Sequence, residues 1–537
     1  MAGSVNDFKE VRNMFWSTPR KKKQRASRRH SSLQPGRRLR FEPLEDRRVL
    51  AAGLVDVQIF PLLAPGELNL LGDGSNNEVR ISQTVNVGTY RIDGLNGTLL
   101  QVNGAGVTMP TVTVNGITGD ISVDLLAGND SFTFDNTYAP GGQDSNVPIN
   151  LEIYNDDGSN VNTISDVMIN GDLIVSKNAG STGYSELHIL NTTVIGYSVV
   201  DNTGGGSGGD TWTEIDNSWL QGNGGGAPAF ILSNAEGKDI NDILGNSQFG
   251  IGPFPLPPVV LIISNAGGGS RTTFTGASAV AGFGTTTVYG DMIISNATNV
   301  PGTLDMVTFN GSNVLGDVTV ANGDGDTSVT VNNSTLGSHL VTTSPVIGGP
   351  MVVYNDAGFD QFAMTQSSIP WGLLIDNDVS GNDDVWGSVT QITASQIGTS
   401  PFCPGIPGFP GTAMMLMGDN GRDLVNISST VFGGILDLQL FAGNNEVNLT
   451  NQSSMVGLNL VTLGGNDSVL IDNSTIQVVV YVRLGFGADR FIVTNVDPAT
   501  EWPSALLGSI DIDAEFGVDT TNLSALALGA LGFEIFV

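Results

Sequence analysis

The sequence predicts an all-β protein: a parallel β-helix (β-solenoid) of about 20–23 residues per turn, preceded by a disordered basic N-terminal tail. Three observations carry this expectation. The composition pairs β-branched residues with turn formers. Gly alone accounts for 71 of 537 residues, while charged residues make up 14%. Short stretches of alternating apolar and polar residues, the signature of half-buried strands, follow one another between Gly/Asn corners. These stretches recur at a nearly constant step, which is what stacked coils require.

The step is clearest from residue 414 onward. Met414–Gly434, Ile435–Gly457, Leu458–Val478 and Val479–Asn495 align as successive units, and Ser509–Gly529 follows after an insert at 496–503. Each unit opens with an alternating run, as in Leu436-Asp437-Leu438-Gln439-Leu440. It turns at a Gly/Asn corner bearing an acidic residue and runs through a second alternation such as Val469-Leu470-Ile471. It then closes on a polar Asn/Ser-Ser/Thr-x-apolar corner. Gly and Asn suit such corners because they accept positive φ. The acidic corner residues Asp423, Glu446, Asp467, Asp489 and Asp519 are 23, 21, 22 and 30 residues apart.

Weaker copies extend upstream. The polar corner recurs at Asn191–Gly196, Asn217–Gly222, Gly311–Gly316 and Asn333–Gly337. The predicted organisation is a basic sorting or signal segment at 1–52, a Gly/Asp-rich β module or first coils at 53–140, and solenoid repeats at 141–537. Pro/Gly-rich inserts fall near 252–258 and 401–411, where Pro suits loops rather than central strands. Glycine runs at 204–209 and 222–226 read as loops. Three short strands and three corners fit one turn at about 3.3 Å per strand residue. The pattern resembles the right-handed parallel β-helix class. A sandwich does not explain a polar corner at fixed offset from an acidic one.

Charge divides the chain. Residues 1–50 carry a net +9 and the remainder −40, which together give −31. A body of that charge repels nucleic acid and anionic membrane and attracts cations. With a single cysteine, Cys403, no intrachain disulfide can form. Cys403 reads as a loop residue.

The basic segment ends in Arg37-Arg38-Leu39-Arg40-Phe41-Glu42-Pro43-Leu44-Glu45-Asp46-Arg47-Arg48-Val49-Leu50-Ala51-Ala52, with only a short apolar run after the charges. This string resembles the LEPR-XLL type of N-terminal sorting motif found in extracellular proteins of planctomycete bacteria. Leu-Glu-Asp-Arg stands where such motifs often have Leu-Glu-Pro-Arg. The resemblance covers about residues 37–52 and implies export or surface display, with no activity attached. Met14, just before the basic run, is an alternative start.

Stacked one per turn, Asp423, Glu446, Asp467 and Asp489 would set carboxylates about 4.8 Å apart, a spacing that Ca²⁺ would relieve. Gly464 to Val469 resembles half of the calcium-binding nonapeptide of secreted toxin-type repeats. The step of about 22 instead of nine, and the missing second half, leave solvated turn carboxylates as the other reading.

A carbohydrate-active β-helix, either a polysaccharide lyase or a glycoside hydrolase, is the enzymatic alternative. It needs two carboxylates about 5–9.5 Å apart, with aromatic neighbours such as Trp212, Trp219, Trp371 or Trp386. The paired acids Asp156-Asp157 and Asp383-Asp384 read as turns. His188 and His339 are followed by Ile and Leu rather than set in Gly-His-Gly, and they read as surface strand residues. No nucleophile elbow, phosphate loop or zinc motif stands in a plausible context. The apolar C-terminal stretch 523–537 reads as a last coil or cap, too short to span a membrane.

The function expected is therefore that of a secreted or cell-surface structural or adhesive solenoid without catalysis. Cell-surface polysaccharide, other surface proteins and divalent cations are its candidate partners. Ca²⁺ is the one candidate cofactor.

Overall fold

The computed structural model describes residues 53–494 apart from 61–65, 139–143, 179–180, 182, 205–208, 223–227, 251–258, 277–284, 297–302, 338–348, 378–386, 400–404 and 407–408. Beyond 494 it describes strand backbone at 509–517, 520–521 and 535–536. The tail 1–52, Cys403, His339, Asp383-Asp384, Trp386, Asp519 and most of 523–537 lie outside the described residues. So do residues 252–258 and most of 401–411.

Every regular element among the described residues is a strand. From residue 121 onward the strands of the coil stack in parallel, turn upon turn, and one short antiparallel pair, Gly405–Ile406 with Phe409–Pro410, stands outside the stack. One turn runs Leu173–Lys177, Ser185–Leu190 and Thr193–Val194 before the next begins at Ser198–Asn202. Leu173–Lys177 pairs with Ser198–Asn202, Ser185–Leu190 with Thr211–Asp216, and Thr193–Val194 with Trp219–Leu220. The three strand positions form three faces, here called sheets 1, 2 and 3. This is the solenoid that the alternation predicts.

Strict period-two burial builds the core. Leu173, Val175, Leu187, Ile189, Val194 and Val200 point inward and are buried, while the residues between them face out. One continuous apolar cluster runs from Val55 to Val493.

Turn length is not uniform. In the C-terminal coils, equivalent residues are 22 apart. Upstream, the same position recurs after 28, 33 or 35 residues. The extra residues fall at corners, where they disturb no stacked strand.

Residues 54–115 are built differently. Leu54–Phe60 runs antiparallel to Glu67–Leu71, and Glu78–Gln83, Thr89–Gly94 and Thr111–Asn115 form an antiparallel meander. Glu67–Leu71 and Glu78–Gln83 then pair in parallel with Ile121–Asp124 and Ser131–Asp135, the first stacked turn. Buried Val79, Ile81, Tyr90 and Ile92 close the core at this end.

Candidate functional site

Polar side chains inside a solenoid must find partners along its axis, because the neighbouring turn is the nearest source of hydrogen bonds. Three inward polar columns meet that requirement.

The first column lies at the acidic corner, where sheet 2 begins. Register places Asn77, Asp130, Asn160, Ser185, Thr211 and Asp239 on successive turns. Ser270, Asp305, Thr327, Asp360, Ser388 and Asp423 continue it, followed by Asn445, Asp467 and Asp489. Many of its rungs are side-chain bonds to the next turn. The Asp423 N–H donates to Asn445 Oδ1 at 3.0 Å, the Asn445 N–H to Asp467 Oδ1 at 2.8 Å, and the Asp467 N–H to Asp489 Oδ1 at 2.8 Å. Upstream, the Ser388 N–H and Oγ donate to Asp423 Oδ1 at 3.1 and 2.7 Å, and Thr211 Oγ1 donates to Asp239 Oδ1 at 2.7 Å.

The other carboxyl oxygen of Asp130, Asp239, Asp423 and Asp467 is buried without a hydrogen-bond partner. Burial raises all four acids, Asp423 and Asp239 to about 7 and Asp130 to about 6. The repulsion of Asp419 adds to the effect at Asp423.

This geometry corrects the predicted cation ladder. Asp423, Asp467 and Asp489 share the column, but the position between Asp423 and Asp467 belongs to Asn445, not Glu446. Glu446 is one residue further on, and period two turns it outward, where it pairs with Arg422 at 2.8 Å. The Asn448 amide, and after it the Arg422 guanidinium, hold its carboxyl below the usual range. Among the described residues no group of three His, Cys, Asp or Glu is placed to hold a metal ion. The unequal separations of 23 and 21 were the sequence signal for the slip: a true column keeps an even 22.

The Gly-Asn part of the same corner caps backbone. Asn444 Oδ1 accepts the Asn466 N–H at 2.7 Å, and Asn466 Oδ1 accepts the Ala488 N–H at 2.9 Å. Gly465, at φ 131°, lies against the turn before it. A Cβ there would sit 1.6 Å from the Gly443 carbonyl oxygen. The half-nonapeptide motif is thus spent on stacking one turn on another.

The second column is the polar corner. Asn191, Asn217, Asn333 and Asn473 all take φ of 47–48°, the left-handed region that Asn tolerates. The next residue turns its hydroxyl inward. Thr192, Ser218, Ser334, Ser367, Ser395 and Thr430 each donate to the carbonyl two residues back at 2.8–2.9 Å. Several accept an N–H from the preceding turn, as Ser334 Oγ does from Ser312 at 3.1 Å.

The third column escaped the sequence reading. At the end of the sheet 1 strands, Asn202, Asn234, Asn265, Asn296, Asn322, Asn355 and Asn377 are buried in line. Each amide nitrogen donates to the next residue's Oδ1 at 2.7–2.9 Å. The available signal was the Asn that ends Ser233-Asn234, Ser264-Asn265 and Ser295-Asn296 just before a loop. Its column is visible only after coils of unequal length are aligned. Buried Lys177 occupies the same column between Asn155 and Asn202, and its Nζ donates to the Gly183 carbonyl at 2.6 Å.

On the outer face of sheet 2, His188 lies between two carboxylates, with Nδ1 2.6 Å from Glu214 and Nε2 2.6 Å from Glu186. Trp212 packs edge-on against its ring at 5.1 Å. Of the other expected aromatics, Trp219 is in sheet 3 with its Nε1 donating to the Gly250 carbonyl, and Trp371 is buried. Asp156-Asp157 is a turn: the Asp156 carbonyl accepts from Asn160, and the Asp157 carbonyl from the Gly128 N–H.

Fold and columns together define a parallel β-solenoid whose interior is held by polar ladders. Residues 36–54 match the model of a family described as Planctomycete extracellular, which supports an extracellular protein of that bacterial group. No curated protein and no solved structure matches the chain. No helix among the described residues is long and apolar enough to cross a membrane.

Proposed function

We propose that the protein is a non-catalytic structural or adhesive rod displayed at the cell surface. The observation that carries this reading is the use made of the polar residues. The corner aspartates and the asparagines of the ladder point inward and bond turn to turn, so they stiffen the solenoid rather than act on a substrate. The match at 36–54 supports delivery to the outside. Cell fractionation of the full chain, with and without residues 37–52, tests the display. Loss of the surface fraction on deletion is expected, and surface location retained by the deleted chain would defeat the sorting role.

A carbohydrate-active reading has one observation in its favour: Glu186 and Glu214 flank Trp212 and His188 on an outer face. Both carboxylates are occupied by His188, which leaves no free acid–base pair there. Incubation with neutral and acidic polysaccharides, followed by assay for new reducing ends or unsaturated products, decides between the readings. Product lost in Glu214→Gln would replace the structural proposal.

A further inference from the structure

The outer face of sheet 1 differs from the rest of this acidic body. Its outward positions align through successive turns as Ile174, Val199, Ile231, Ile262 and Ile293. After Thr319 the column resumes with Val352 and Leu374. Two residues along each strand runs a companion column of Ser176, Asp201, Ser233, Ser264, Ser295, Ala321, Tyr354 and Asp376, in which the six turns between the two carboxylates and beside them carry no charge. Eight turns thus present mostly β-branched and small side chains with two carboxylates, Asp201 and Asp376, near the ends, in a body of net −40.

At its C-terminal end the chain covers this face itself. Met415 follows Leu374 in the column, yet it is only 1% exposed. The short antiparallel pair Gly405–Ile406 and Phe409–Pro410 lies against its strand, Thr412–Met417.

We infer that the open part of this face, from Ile174 to Leu374, is where a second copy of the chain docks, sheet against sheet, in a side-by-side dimer. Charge and area both point to a copy of the chain. The acidic surface elsewhere repels another copy, so two copies approach best over a stripe poor in carboxylates, which here has its two acids, Asp201 and Asp376, near its ends. Seven steps of about 4.8 Å make the stripe about 34 Å long. At about 15 Å wide it would bury roughly 1,000 Å² over both partners, the lower limit for a specific interface. β-Branched columns beside serine and alanine columns interdigitate at the usual spacing of stacked sheets, about 10 Å. A two-fold axis makes the contact self-complementary and closed, which suits a dimer rather than a fibre.

Asp172, Asp291 and Asp317 stand where the chain enters the strands of this face. These acidic rims make association strengthen with salt as repulsion is screened.

Sedimentation velocity on the full chain tests the inference. A dimer is expected at concentrations up to about 100 μM, tighter at about 500 mM than at about 50 mM salt. The pair Ile231→Asp and Ile262→Asp should give monomer, and Ser264→Arg should weaken the dimer at least about tenfold. As a control, Thr308→Asp and Thr330→Asp add the same charge to outward positions of sheet 2 and should leave the dimer intact. All these side chains point outward, so thermal melts should match the parent. A monomeric parent, a dimer that survives the Ile231/Ile262 pair, equal dissociation by the sheet 2 control, or weakening by salt would each overturn the inference.

Discussion

The central and C-terminal coils solve the same stacking problem in different ways. From Asn202 to Asn377 the turns vary in length, and an unbroken asparagine ladder runs beneath them. From Met414 to Thr494 the turns keep a 22-residue step, and the ladder stops. By register, the position after Asn377 is Gly418, followed by Leu440, Thr462 and Leu484. Gly418 is required there, because a Cβ would lie 2.1 Å from Asp423 Oδ2.

The difference shows what a polar ladder is for. Where loops of unequal size leave the coil, each rung fixes the strand end independently of the loop. Where every turn is the same length, the repeated Gly-Asn corner fixes it, and no amide ladder is needed: leucines alternate with Thr462 in the column.

The largest expected effect comes from breaking the ladder. Asn265→Leu removes the partner of Asn234, Asn241 and Asn296 at once. It should destabilise the solenoid by about 3 kcal/mol or more, because buried amides left without partners keep their full desolvation cost. The reverse exchange, Leu440→Asn, buries an amide beside Gly418 and Thr462 and should cost about as much. A mild effect of either substitution in chemical denaturation would mean that the columns are interchangeable.

Next in size is the pH dependence. Asp239 and Asp423 are raised to about 7 in the fold, so the folded chain holds protons that the unfolded chain has already lost. Stability from these groups is fullest below the unfolded carboxylate range and falls as pH rises toward 7. Melting temperature should therefore drop between pH 5 and pH 8. Asp93 and Glu446, shifted down, act in the opposite sense, but their contribution is lost only as pH falls below the ordinary carboxylate range and so does not change between pH 5 and pH 8. Asp423→Asn keeps the acceptor for Ser388 and copies what Asn445 does one turn later. It should stabilise the protein at pH 8 by about 2 kcal/mol and do little at pH 5. Equal effects at the two pH values would remove the buried carboxyl as the cause.

Smaller effects belong to the corners. Asn473→Ala at φ 47° should cost about 1 kcal/mol, and Asn473→Gly almost nothing. Smallest of all is the response to calcium. A melt in Ca²⁺ and one in EDTA should agree within about 1 °C, because the corner carboxylates face inward to backbone N–H groups; a rise of several degrees would restore a cation site.

Much of this was legible in the residues. Alternation such as Leu436-Asp437-Leu438 gave strands and their buried faces, because side chains on a strand alternate whatever surrounds them. Asn191, Asn333 and Asn473 announced corners, because few residue types accept positive φ. The acidic corner was visible too, and only its membership was misread at Glu446 by one residue.

The asparagine ladder was not legible. Asn234, Asn265 and Asn296 are ordinary loop-edge residues until the turns are stacked, and the loops between them hide the step. The antiparallel strands at 54–115 were equally hidden, since alternation does not say which way a neighbouring strand runs.

The sequence by itself thus determined an all-β acidic solenoid, its strand faces and its corners, because alternation and turn chemistry are local. Only the tertiary structure decided which residues share a column, that the corner aspartates face the interior, and that one outer face carries few charges. Those facts depend on register between turns. A one-residue slip exchanges inside for outside, and no local pattern fixes that register across loops of unequal length.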